Sequence, residues 1–306
     1  MKKVAVVGFG SIGKRHARNF KAAGAEVAVV SRRPLTEVDL LFRTLQDCLR
    51  EFKPDIVVIC NETHLHHVAV KSLKSEGFTG LILVEKPVFD LTQTEVSEFK
   101  DLNIRVMYNL RFNPLLLALQ KEILNETLLS AHVYVGQNLK SWRSGDDYRR
   151  SYSAKADEGG GVLLDLSHEI DYCLWLFGRF RELVSCVEKI SNLEISSCDH
   201  CTILLRGHQI ASVNIEMNYI DHMTQRFIIL NTQNNTYHVD LVKNTFKKNN
   251  IDFNMESAMT DSYGQMVQNI LQHNAEALTT FDDALEVLRI ARAAMSSNQN
   301  RQWSVL

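Results

Sequence analysis

The stretch Lys3-Val4-Ala5-Val6-Val7-Gly8-Phe9-Gly10-Ser11-Ile12-Gly13 decides the fold. A short apolar run, rich in valine, ends at a glycine, and glycines at 8, 10 and 13 then lead into a helical pattern. Each glycine has its own task. Gly8 permits a tight turn, Gly10 lets backbone approach a pyrophosphate, and Gly13 lets the helix pack closely on the strand. Free N–H groups at the helix start face the phosphates, where the helix dipole favours negative charge. Gly8, Gly10, Ser11, Ile12 and Gly13 are therefore expected to cradle a dinucleotide.

Working outward, Val4–Val7, Val27–Val30, Ile56–Cys60, Leu81–Val84 and Ile104–Met107 are short apolar runs without polar interruption. Such runs suit strands buried on both faces, as in a parallel sheet. Helical stretches are expected between them at Lys14–Ala23, Leu40–Glu51, His66–Glu76 and Thr92–Lys100. This alternation predicts right-handed βαβ units and an α/β Rossmann domain with a doubly wound parallel sheet over residues 1–112.

The pattern changes after Tyr108-Asn109-Leu110-Arg111-Phe112-Asn113-Pro114. A helix (Leu115–Leu124), a strand (Leu129–Val135), an irregular polar segment and a helix from Leu163 to Phe177 are expected. Strands follow at Leu183–Ile190, Cys201–Arg206, Ile210–Met217, Arg226–Asn231 and Thr236–Leu241. Ser212, Asn214 and Glu216 alternate with Val213, Ile215 and Met217, as in a sheet with one covered face. Residues 113–306 thus read as an α+β domain with an open, mostly antiparallel sheet. Its helical tail, Tyr263–Leu278 and Asp282–Ser296 with Asp282 as N-cap, could return to the first domain. The uncovered face predicts a homodimer or homotetramer formed through the sheet.

With 306 residues, 45% hydrophobic and 23% charged, the composition is that of a soluble globular chain. A net charge of −2 gives no electrostatic case for nucleic acid or an anionic membrane. No apolar run is long enough to span a bilayer, and the apolar start is too short for a secretion signal. Six scattered cysteines predict free thiols in a reducing cytoplasm. Cys198 and Cys201 have a metal-pair spacing but lack a second pair, and His64, His66 and His67 lack the spacing of a zinc helix, so no metal site is expected.

The second strand ends Ser31-Arg32-Arg33, where a dinucleotide site for NAD carries a carboxylate for the ribose hydroxyl. A hydroxyl and two guanidinium groups suit a 2′-phosphate instead, so Ser31, Arg32 and Arg33 predict NADP, with NAD as the alternative.

Two further segments carry a family resemblance: Val84-Glu85-Lys86-Pro87-Val88, and Gly159-Gly160-Gly161-Val162-Leu163-Leu164-Asp165-Leu166-Ser167-His168-Glu169-Ile170-Asp171. With the glycine turn and the Asn109/Arg111/Pro114 crossover, the whole chain resembles the Gfo/Idh/MocA oxidoreductases. The resemblance implies that Lys86, Asp165 and His168 are catalytic, that Glu85 and Lys86 lie beside the nicotinamide, and that the loop with Asn61 and Thr63 passes along the cofactor. One departure stands out. Relatives place the histidine four residues after the aspartate, whereas His168 comes three after Asp165 and Glu169 takes the fourth place. Either spacing would keep both side chains on one helix face, leaving the base open between His168, Glu169 and Asp171.

The residue types agree with hydride removal from a hydroxyl-bearing carbon, which needs a base for the hydroxyl proton. Histidine can act near neutrality, and a lysine can hydrogen-bond the developing alkoxide. Trp142, Arg143, Arg149 and Tyr152, together with Asn109 and Arg111, are the expected substrate residues. Aromatic faces suit sugar rings, and arginines suit acidic or nucleotide-linked groups. Two other readings fit the same residues: a glycosidase using bound cofactor through transient oxidation, and a non-catalytic NADP or sugar sensor.

Overall fold

The computed structural model describes residues 1–142, 147–253, 261–273 and 275–306. The chain divides into two compact units, one of residues 1–112 and 261–285, the other of residues 113–260 and 286–306. Among the described residues no helix is long and apolar enough to cross a membrane.

The first unit begins with β1 (Lys3–Val7), α1 (Ser11–Ala22), β2 (Glu26–Val30), β3 (Leu41–Phe42), α2 (Leu45–Glu51), β4 (Ile56–Ile59), α3 (Thr63–Ser75), β5 (Leu81–Val84) and β6 (Ile104–Val106). The parallel sheet runs β3-β2-β1-β4-β5-β6. The chain reverses direction across the sheet beside β1, where open α/β sheets bind ligands at the carboxyl ends of their strands. Ile56–Ile59 and Leu81–Val84 are buried throughout, as the unbroken apolar runs require.

Two expected helices change. Leu41–Phe42 instead forms β3 along β2, and α2 starts only at Leu45, because the Thr44 hydroxyl caps it by accepting the Asp47 N–H at 3.1 Å. Between Thr92 and Lys100 only a single 3-10 turn forms, at Ser97–Phe99. The Asp90 carboxylate accepts the Thr92 N–H at 2.8 Å and so competes with helical pairing.

The second unit contains α4 (Pro114–Ile123), β7 (Leu128–Gly136), α5 (Leu139–Trp142), α6 (Val162–Asp165), α7 (His168–Phe177), β8 (Phe180–Glu188), β9 (His200–Gly207), β10 (Ser212–Asn218), β11 (Gln225–Thr232), β12 (Thr236–Asp240), β13 (Thr245–Lys248) and β14 (Ile251–Phe253). Asn113 caps α4 with Pro114 at its first position. The continuous helix expected from Leu163 is broken after Asp165, where tertiary hydrogen bonds override the local pattern.

The remaining elements are α8 (Ser262–His273), β15 (Thr279–Thr280), α9 (Phe281–Asn300) and β16 (Ser304–Val305). Met266, Val267 and Ile270 of α8 enter the core of the first unit, and β15 pairs antiparallel with β6. Thr280 accepts the Asp283 N–H at 3.1 Å, so the cap of α9 lies before Asp282.

The nine-stranded sheet runs β14-β13-β12-β11-β7-β10-β9-β8-β16, antiparallel except for β10 beside β7. The short strands β13, β14 and β16 lie outside the expected set; they are too short to show a period. Val213, Ile215 and Met217 are fully buried, whereas Ser212, Asn214 and Glu216 on the other face are only partly covered. That second face carries an aromatic band. Tyr134 stacks on Phe227 at 5.2 Å, flanked by His132 and His238.

Candidate functional site

In the first unit the three glycines divide their work. Gly8 has φ +92° and donates its N–H to Val30 O at 3.0 Å; a Cβ on it would stand 2.7 Å from the Asn61 nitrogen. A Cβ on Gly13 would strike the Gly8 carbonyl oxygen. Both residues therefore serve the chain's own packing. A Cβ on Gly10 would meet nothing within 4 Å, so the backbone at the start of α1 faces open space. Ser11 and Ile12 form the first turn of α1, and no side chain caps it.

Asn61 stands opposite, after β4, with its Oδ1 buried and lacking a hydrogen-bond partner among the described residues. Thr63, buried, begins α3. An exposed backbone cradle at a helix start beside an unsatisfied acceptor fits a dinucleotide's pyrophosphate and ribose.

At the end of β2, the Arg33 N–H donates to the Ser31 hydroxyl at 3.2 Å, and the Arg33 guanidinium reaches the Phe9 carbonyl of the glycine turn at 3.4 Å. Arg43, which the sequence reading missed, joins them, donating to the Arg32 carbonyl at 2.6 Å. Recognising Leu41–Phe42 as a strand beside β2 would have placed it there. Arg32, Arg33 and Arg43 thus lie together at the end of β2.

Glu85 and Lys86 follow β5. The Glu85 carboxylate is nearly buried; Oε1 lies 2.5 Å from His16 Nε2, and Oε2 accepts the Lys86 N–H at 3.1 Å. On the far side, His66 Nδ1 sits 3.1 Å from Pro87 O and 3.2 Å from Val88 O, while Nε2 is 3.0 Å from Asn61 O. Burial lowers the His66 pKa below its ordinary 6.5, against the raising effect of these carbonyls. His67 packs edge-on against Phe89 and Phe99, and His64 is exposed, so the three histidines face different surroundings. Among the described residues no three metal-ligating side chains converge.

Asn109 and Arg111, expected to bind substrate, are both buried. Asn109 donates to Ser262 Oγ at 2.8 Å, which ties the crossover to the start of α8.

In the second unit Asp165 ends α6 inside a ring of hydroxyls. Ser153 donates to Oδ2 at 2.6 Å, Tyr219 to Oδ2 at 2.8 Å, and Tyr152 to Oδ1. Burial, then the neighbouring Asp165 charge, pushes the Tyr219 phenol well above its ordinary pKa and keeps it a donor. Trp142 leans on Tyr219 with ring centres 6.0 Å apart. Tyr219 gave no sequence signal, because it follows a strand with no motif around it.

His168, half-buried, is the first residue of α7, beyond the break after Asp165. The two therefore do not share one helix face. Glu169 is fully buried and bound by Arg226 of β11 through two bonds, Nε to Oε1 at 2.6 Å and Nη2 to Oε2 at 2.8 Å. Asp171, two residues further along α7, is also buried.

Arg149 is held by Asp147 at 2.8 Å and by Glu194 at 3.2 Å. Arg143 lies outside the described residues. The six cysteines are free thiols, and burial raises the pKa of both Cys198 and Cys201.

A sequence comparison with curated proteins finds no match. Several solved structures share the fold. The WlbA dehydrogenase of Bordetella pertussis, in complex with NADH and UDP-GlcNAcA, is 19% identical with a TM-score of 0.81, over 100% of this chain and 97% of that one. Levoglucosan dehydrogenase with NADH and levoglucosan is 16% identical with a TM-score of 0.82, over 99% of each chain. UDP-N-acetylglucosamine 3-dehydrogenase GnnA of Acidithiobacillus ferrooxidans is 17% identical with a TM-score of 0.79, over 98% of this chain and 99% of that one. Two family profiles also match, an oxidoreductase NAD-binding Rossmann fold over residues 2–105 and an oxidoreductase C-terminal alpha/beta domain over residues 130–306. The chain therefore belongs to the Gfo/Idh/MocA family of NAD-dependent oxidoreductases.

Proposed function

We propose that the protein reversibly oxidises a hydroxyl-bearing carbon of a sugar derivative to a carbonyl, with NADP as the preferred cofactor. When bound, the oxidised nicotinamide would accept the hydride from that carbon. The residues supply binding and proton transfer: His168 takes the hydroxyl proton, Lys86 donates a hydrogen bond to the oxygen as charge develops, and Asp165 supports the site.

The observation that carries this assignment is the Glu169–Arg226 pair. The residue at the family's histidine position is sealed in an ion pair and Asp171 is buried, which supports His168, the half-buried member of the three, as the base. Replacing His168 by Asn should remove turnover, and Glu169→Gln should keep it in the folded fraction. The opposite result would overturn the assignment.

Arg32, Arg33 and Arg43 support NADP, because three guanidinium groups complement a phosphate dianion better than a ribose hydroxyl. Trp142 and the partly exposed ring of Tyr152 support a sugar ring. Likeness to an enzyme crystallised with UDP-GlcNAcA supports an acidic, nucleotide-linked substrate. Arg149 already has two carboxylate partners, so an acidic substrate group would have to displace one of them to bind it. The aromatic band on the partly covered sheet face supports pairing of two copies through that face. The free thiols support a reducing, cytoplasmic location.

The test is a panel of UDP-GlcNAcA, UDP-N-acetylglucosamine and levoglucosan with NADP or NAD, followed by nicotinamide absorbance. Turnover with NADP supports the reading. Binding of cofactor without turnover of any sugar, and no effect of Lys86→Met, would replace it by a sensor.

A further inference from the structure

We infer that His16 and Glu85 form a positioning pair that sets Lys86 and ties it to the helix that seats the pyrophosphate; its catalytic importance rests on the role proposed above for Lys86. His16 lies on α1, six residues after Gly10, and is completely buried. Its Nε2 meets Glu85 Oε1 at 2.5 Å across 69 residues of chain. A carboxylate can only accept, so Nε2 carries the hydrogen.

The other ring nitrogen, Nδ1, is buried without a hydrogen-bond partner among the described residues, and the ring is edge-on to Tyr263 at 5.7 Å. A phenylalanine would fill this space without stranding a polar atom, which has a real desolvation cost. What histidine adds is therefore the one hydrogen it gives to Glu85.

The same reasoning applies one step on. Glu85 is nearly buried, and its second oxygen accepts the Lys86 N–H at 3.1 Å. Two buried polar groups in series thus end on the backbone of Lys86. Beyond it, His66 meets the carbonyls of Pro87 and Val88. Lys86 is held from both sides, and the His16 side leads straight to α1. Displacing that helix start would move the lysine with it.

The test uses the full-length chain and acetylation by N-acetoxysuccinimide, mapped by peptide, which needs no knowledge of the substrate. His16→Phe keeps the ring volume and removes the donor; His16→Gln keeps a donor near the Nε2 position. The expected result is a change of about tenfold in the rate at Lys86 in His16→Phe, the equivalent of one hydrogen bond to a charged group. Lys2 and Lys53 should react unchanged, and His16→Gln should recover most of the effect. A merely structural histidine predicts the reverse order, with Phe as good as His. A Lys86 rate in His16→Phe within about twofold of the parent, where surface substitutions ordinarily fall, overturns the proposal. If His16→Phe does not fold, Glu85→Met, which removes both acceptor oxygens, is judged by the same criterion. Turnover by Lys86→Met would defeat the catalytic role of the lysine and leave the labelling result intact, so the two failures are distinguishable.

Discussion

Glu169 is the residue whose role the structure redefines most sharply, and its removal gives a quantitative test. Its carboxylate is fully buried, with both oxygens bound by Arg226 at 2.6 and 2.8 Å, and Tyr172 donates to Oε1 at 3.3 Å. Replacing Glu169 by Leu takes both of these bonds from a guanidinium whose side chain is only 22% exposed. Breaking a buried pair from one side costs about 3–5 kcal/mol, because the remaining charge loses that carboxylate without regaining water. For a chain of this size that corresponds to a fall in Tm of roughly 10 °C. Arg226→Met should cost about as much, while the double variant Glu169→Leu/Arg226→Met should recover most of the loss, since two apolar side chains can replace the pair. Thermal unfolding of the four proteins at one pH completes the cycle. Additive single effects, with no recovery in the double variant, would refute the claim that the pair accounts for the burial of Glu169.

Gly10→Ala should fold with unchanged Tm and bind cofactor at least about tenfold more weakly by fluorescence titration, because its Cβ enters the space left for phosphate; Gly13→Ala should lose stability outright through its collision with the Gly8 carbonyl. Arg32→Ala and Arg43→Ala should each lower kcat/KM for NADP by about tenfold with little change for NAD, and equal losses for both cofactors would remove the 2′-phosphate assignment. Acidification should destabilise the fold through His66. Its native pKa is depressed, so the unfolded chain takes up the proton first, and the stability present above pH 6.5 is lost as pH falls below that value. Denaturant midpoints measured from neutral to mildly acidic pH should show this slope, and His66→Gln should flatten it. Tyr219→Phe should lower the stability of the second unit by about 1–2 kcal/mol through the lost bond to Asp165, read from urea unfolding.

The Rossmann half was legible because its signals are local. An apolar run of four or five residues marks a buried parallel strand, and glycines at 8, 10 and 13 carry their meaning within one turn. Lys86 and His168 could be singled out for the same reason, since each sits inside a short motif. Local signals failed where a side chain competed with the backbone, as at Thr44 and Asp90, and where a strand had only two residues, as at Leu41–Phe42.

The fold class, the dinucleotide turn and the residue types available for proton transfer all follow from short local stretches of chain. The tertiary structure alone decided what those residues can do. It brought Arg43 to Arg32 across 11 positions, His16 to Glu85 across 69, Tyr219 to Asp165 across 54 and Arg226 to Glu169 across 57. No helical or strand period links such separations. Which charge is paired and which is left for chemistry depends on burial and partners, and those exist only once the chain has closed on itself.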